Sequence, residues 1–215
     1  MPEMTAHKFV FFLLTSSLML SELQGQISTY PFVHEEIHHK PVFENPSLRV
    51  LNVSASKGDT TALHRHCHPI LFITAKGATV SLREPQGEWV EAVLPTGWIG
   101  QEIYTPDTCY VHQFSVIGKE GLQIVAIEAL SDSKPPLLSL EPAYREDGFT
   151  LFEIESSHLQ EIASVSIPII LVENSDENQG KVEVVSSDHL TKKVMVQRSA
   201  YAVFFQKQTS TRGSE

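Results

Sequence analysis

The sequence predicts an all-β protein: an antiparallel sandwich or barrel of short strands, followed by a second β-rich segment. Two observations carry that reading. From Leu48 onward short apolar and β-branched runs recur at close intervals, and turn-forming residues stand between them. The composition is that of an ordinary globular chain, since 41% hydrophobic and 20% charged residues with 11 Gly and 12 Pro exclude collagen-like, coiled-coil and wholly disordered readings.

Taken in order, the first element is a leader. Lys8 precedes an apolar run from Phe9 to Leu20, and polar residues follow from Ser21 to Gln26. As a helix that run would rise about 18 Å, short of a hydrocarbon core of roughly 30 Å, so residues 1–25 read as a signal peptide cleaved after Gly25 rather than a permanent span. The expectation is an exported protein, periplasmic or secreted, with no membrane span in the mature chain. Residues 26–134 then read as a barrel with an N-terminal arm. Its runs are Leu48 to Ala55, Ile70 to Ala75, Ala78 to Leu82, Trp89 to Leu94, Tyr110 to Ile117 and Leu122 to Ala129, separated by turns such as Lys57-Gly-Asp59, Lys76-Gly77 and Pro95-Thr-Gly97. A polar, Pro-rich break from Ser131 to Pro136 leads to residues 135–215, whose runs are Phe149 to Ile154, Ile167 to Val172, Val182 to Ser186 and Val194 to Phe205. This second segment either completes the barrel or is a degenerate second one. In favour of a faded repeat, His68-Pro-Ile-Leu-Phe-Ile73 parallels Ile167-Pro-Ile-Ile-Leu-Val172, and Tyr110-Val-His112 parallels Tyr201-Ala-Val203; chance likeness between β-rich segments is the other reading.

Charge and cysteine narrow the function. With 26 acidic against 16 basic residues and a net charge of −10, a phosphate backbone would be repelled, so nucleic acid is excluded as a partner and a small-molecule ligand is expected. Cys67 and Cys109 are the 2 cysteines. They form either one disulfide in an oxidising space or two buried thiols, and spacing alone does not choose.

The densest chemical signal is Gly58-Asp-Thr-Thr-Ala-Leu-His64-Arg-His66-Cys-His68-Pro69. Alternate residues of a strand share a face, which aims His64, His66 and His68 one way and Arg65 and Cys67 the other. Neighbouring members lie about 6.6 Å apart along the strand, so a pair of imidazoles with a ligand from elsewhere is easier to build than all three on one ion. His34-Glu-Glu-Ile-His38 fits the zinc-protease pattern H-E-x-x-H. Pro31 and Pro41 confine any helix there too tightly for that role. Ser156-Ser157 and Ser186-Ser187 lack the strand-turn-helix setting of a nucleophile. Trp98, Tyr104, Tyr110 and Phe114 line either a pocket or a core.

At these residues the sequence resembles the cupin superfamily, small jelly-roll barrels with two histidine motifs. Gly58, His64, His66 and Gly77 fall in register with the first motif, but Ile70 stands where a ligand glutamate is usual. His112 and Gly118 match the second motif, with Val116 in place of its Asn. His39 to Asn45 and Leu48 to Val53 are similar to the leading strands of single-domain cupins. The resemblance covers roughly residues 39–130. It implies a cupin jelly-roll barrel, a metal site of His64, His66 and His112 with His68 as a substitute, and a homodimer. Three neutral imidazoles would leave the full charge of a divalent ion, favouring an anionic metabolite; such ligands suit Fe, Zn, Cu or Ni, and the oxygenase-like reading that follows favours Fe. An all-histidine site also resembles the thiol dioxygenases, so the implied activity is oxygenase-like, or isomerase or lyase chemistry. The alternative is a non-catalytic small-molecule or sugar-binding cupin whose metal has been lost. Glu102 and Tyr110 are the candidate catalytic groups, Glu102 as a base or as the missing acidic ligand.

Overall fold

A computed structural model of the chain describes residues 29–135, 138–162, 164, 167–173, 181–187 and 198–206. The leader lies outside the described residues, and so does the start of the run predicted from Val194.

The chain is nearly all β, and three sheets organise it. The first contains β1 (His39–Glu44), β2 (Leu48–Ala55), β9 (Leu122–Ala129), β4 (Ile70–Lys76) and β7 (Ile99–Glu102), neighbours in that order. The second orders β3 (His64–His66), β8 (Tyr110–Val116), β5 (Ala78–Arg83) and β6 (Val90–Leu94). All their pairings are antiparallel. Period-two patterning turns Leu51, Val53, Ile70, Ile124 and Ala126 of the first sheet toward Ala78, Val80, Phe114 and Val116 of the second, and these form one core. Two sheets facing each other with chain-distant strands as neighbours make the predicted jelly roll.

The third sheet runs β10 (Tyr144–Glu146), β11 (Phe149–Glu153), β14 (Arg198–Phe205), β12 (Pro168–Glu173) and β13 (Val182–Ser186). It lies on the outer face of the first sheet, where Val50, Leu71, Val125 and Ile127 meet Phe149, Leu151, Ile170 and Val203. This explains why Leu122–Ala129 is a nearly unbroken apolar run: β9 is covered on both faces, and all of its residues are buried. The far face of the third sheet is apolar too, with Phe152, Ile169, Leu171 and Phe204 packed with Ile162 from a short helix, α1 (Leu159–Ile162).

The strands differ from the sequence reading in three places. β7 was not expected, because Ile-Gly-Gln-Glu has no apolar alternation; it is held by pairing with β4, and the Trp98 ring lies where a Cβ on Gly100 would sit. β10, a three-residue strand, was also missed. The parallel between Tyr110 and Tyr201 does not join equivalent strands: β12 pairs with β14, whereas β4 and β8 lie in different sheets.

Candidate metal centre

β3 is short, and three devices fix it. Before it, Thr61 is tied to β8 by its N–H to the Phe114 carbonyl at 2.9 Å and by its hydroxyl, which accepts from the Phe114 N–H at 2.9 Å. Along it, His64 pairs with His112 and His66 with Tyr110. After it, Cys67 and Cys109 are joined in a disulfide with Cα atoms 4.3 Å apart. Of the two readings open for the cysteines, the bridge is the one observed.

The pleat then does what the spacing predicts. Arg65 turns outward, its guanidinium 3.8 Å over the Phe32 ring, while His64 and His66 turn into the barrel and are buried. His112, half-buried, meets them from β8. The ligand atoms of the three rings all lie within 4.8 Å of one another, and the Nε2 atoms of His66 and His112 are 3.0 Å apart. His64 Nδ1 lies 2.9 Å from the Ala62 carbonyl, which only accepts; Nδ1 therefore carries the proton and Nε2 the lone pair. His64 Nε2, His66 Nδ1 and His112 Nδ1 have no hydrogen-bond partner although buried. Burial, then the neighbouring His39, pushes the His64 imidazole down to about 4. Burial, then the surrounding imidazoles, holds His66 and His112 well below the ordinary value. All three are neutral near pH 7 and keep their lone pairs. A neutral, buried, convergent imidazole set fits a divalent transition ion.

The other candidates fall differently. Among the described residues the convergent ligand cluster is His64, His66 and His112, so His68 is not part of it: β3 ends at His66, and the chain bends at His68, which breaks the alternation. Glu102 sits directly across from Ile70 in the ladder between β7 and β4, but it is exposed and does not enter the cluster. In this arrangement it stands apart from the three imidazoles. Desolvation and the nearby Asp147 raise its carboxyl above the usual range. Ile70 and Val116, where the motifs usually carry polar residues, are fully buried core. Tyr110 stacks on His112 with centroids 5.1 Å apart, and Tyr104 stacks on Tyr110 at 5.5 Å. Burial, then Glu84 and Glu102, pushes the Tyr110 phenol up to about 12, so it is a hydrogen-bond donor rather than a base.

Sequence reasoning missed a fourth imidazole. His39 is buried, its ring 4.4 Å from that of His64 and 6.4 Å from that of His66, and its Nδ1 lies 2.6 Å from the Glu36 carboxylate. The H-E-x-x-H frame obscured this pair. Its own histidines diverge: His34 accepts from Arg49 Nη1 at 2.9 Å, whereas His38 Nδ1 donates to the Ser54 carbonyl at 3.1 Å. Arg49 also binds Glu44 and Glu128, each at 2.7 Å, and so fastens the arm to the barrel.

No protein-family model and no curated protein matches the chain. The architecture decides the fold: a His-x-His strand faces a third histidine inside a two-sheet jelly roll. The fold is a two-sheet jelly roll, the architecture that the resemblance to cupins implies. The chain is similar to a cupin domain from Bordetella pertussis, with 19% identity and a TM-score of 0.38 over 46% of this chain and 95% of that one. It is also similar to a protein with a double-stranded β-helix domain from Klebsiella pneumoniae, at 22% identity and a TM-score of 0.35 over 48% of this chain and 85% of that one. A cupin family protein from Methanocaldococcus jannaschii has 12% identity and a TM-score of 0.35, over 42% of this chain and 77% of that one. Among the described residues no helix is long and apolar enough to cross a membrane.

Proposed function

We propose that this is an exported cupin-type metalloenzyme in which His64, His66 and His112 hold a divalent transition ion, with Fe favoured over Zn, Cu or Ni, and which acts on a small metabolite. The observation that carries it is the convergence of three neutral imidazoles, two buried and one half-buried, whose ligand atoms lie within 4.8 Å of one another. Such an ion would supply Lewis acidity or redox chemistry. The chain's own residues do the rest. Tyr104 and Tyr110 wall one side of the centre, flat faces stacked, and the neutral phenol of Tyr110 can orient a substrate oxygen by donating to it. An anionic substrate group is favoured by the charge that three neutral ligands leave unbalanced, and the reaction class is oxygenase-like, isomerase or lyase. The disulfide between Cys67 and Cys109 supports export, because such bonds persist in oxidising compartments.

The His66–His112 contact at 3.0 Å favours a second reading, a metal-free pocket that binds a small molecule or a sugar against the tyrosines. Metal content of variants separates the two. His66→Ala and His112→Ala should each abolish stoichiometric metal, while His34→Ala and His158→Ala retain it; metal retained by both of the first pair contradicts the assignment.

A further inference from the structure

The Glu36 side chain is fully buried, yet among the described residues no lysine or arginine pairs with it. Its carboxylate accepts from three donors: the His38 N–H at 2.8 Å and His39 Nδ1 at 2.6 Å, both at Oε2, and the Ala62 N–H at 3.2 Å at Oε1. The Ala62 carbonyl in turn accepts from His64 Nδ1 at 2.9 Å. One carboxylate thus reaches two imidazoles, His39 directly and His64 across a single residue. A fully buried glutamate with no cation beside it is rare, and this one keeps its charge through hydrogen bonds aimed at it. What lies beyond both imidazoles is the three-histidine cluster, where the first cupin motif has lost its carboxylate to Ile70.

We propose that Glu36, on the N-terminal arm, is the positioning residue of the metal centre, fixing His64 with Nε2 bare by holding the Ala62 backbone, orienting His39 beside it, and placing inside the barrel the negative charge that Ile70 cannot provide. The inference rests on the metal reading above. Carboxylates that act through a ligand's other ring nitrogen set its tautomer and basicity, and their removal weakens metal binding by about 10–100-fold. Here the link to a ligand passes through the backbone of Ala62, whose N–H and C=O lie in successive peptide groups, and the arm that carries it is fastened by Arg49.

The test is Co²⁺ titration of the metal-free full-length protein, read by its visible ligand-field absorption, for wild type, Glu36→Gln and Glu35→Gln. Glu35 is an exposed carboxylate on the same arm and controls for charge. The expected result is a 10–100-fold weaker affinity with altered bands in Glu36→Gln alone. Equal affinity and an identical spectrum in all three proteins overturn the inference and leave the metal reading standing. A wild type that takes up no Co²⁺ overturns both. Nitrogen NMR of the wild type needs no variant and covers the case in which Glu36→Gln does not fold. Added Zn²⁺ should shift the His64 Nε2 resonance while the Nδ1 proton is retained; loss of the Nδ1 proton on metal binding overturns the inference.

Discussion

His64 is fully buried and neutral, and that fixes how the metal-free protein responds to acid. Its pKa lies at about 4 in the folded state and near 6.5 in an unfolded chain, so between those values the unfolded state binds a proton that the folded state does not. Stability is therefore lost as pH falls from about 6.5 toward 4, and His66 and His112, shifted in the same direction, steepen the loss. Glu36 extends it: burial opposes its ionisation, but the bonds from His39, His38 and Ala62 win and bring it down to about 2, so its contribution disappears below the ordinary carboxylate range near 4.3. Urea midpoints of the metal-free protein should fall steadily from pH 6.5 to 4; a flat profile across that window contradicts neutral burial. Much of this site was legible. His64 and His66 followed from period two, and His112 from the resemblance. Glu36 and His39 were not, because their roles depend on an arm that folds back to Ala62, and no local spacing encodes that return.

At the scale of elements, the barrel around the centre depends on how β3 is held and on the tight crossing from β4 in the first sheet to β5 in the second. Gly77 sits between those two strands, and a Cβ there would lie 2.3 Å from the Leu94 carbonyl oxygen and 2.5 Å from the Thr96 nitrogen, both backbone atoms. Gly77→Ala should cost about 1–3 kcal/mol by forcing the neighbouring backbone aside, read as a lower urea midpoint. A midpoint equal to wild type contradicts that packing. The disulfide closes a separation of 42 residues across the ends of β3 and β8, and in the chain-entropy view such a loop is worth roughly 4 kcal/mol. A Cys67→Ser, Cys109→Ser double variant should lose stability on that scale, and intact mass should rise by two hydrogens on reduction of the wild type; an unchanged mass rules the bridge out. Strands that read as apolar or β-branched runs, such as β2, β4, β5, β8 and β9, were legible to within a residue. β7 was not, since a strand containing Gly100 and Gln101 forms only because β4 offers it a ladder.

Across the whole molecule, two apolar layers carry the fold. One fills the jelly roll, and the other lies between its outer face and the third sheet. The sequence showed two β-rich segments with a Pro-rich break. It could not show that the second packs as one sheet against the back of the first, because a strand's apolar run does not name the surface that covers it. That packing leaves the histidines on the opposite side of the first sheet from the third, so the added layer buttresses the barrel without contributing to the ligand cluster. The claim on which function turns is that this barrel holds a metal. Elemental analysis of the wild-type protein, purified anaerobically without a histidine tag, tests it most directly. Close to one transition-metal ion per chain, iron foremost, is the predicted result; no metal, even after incubation with Fe²⁺, Zn²⁺, Cu²⁺ and Ni²⁺, contradicts it.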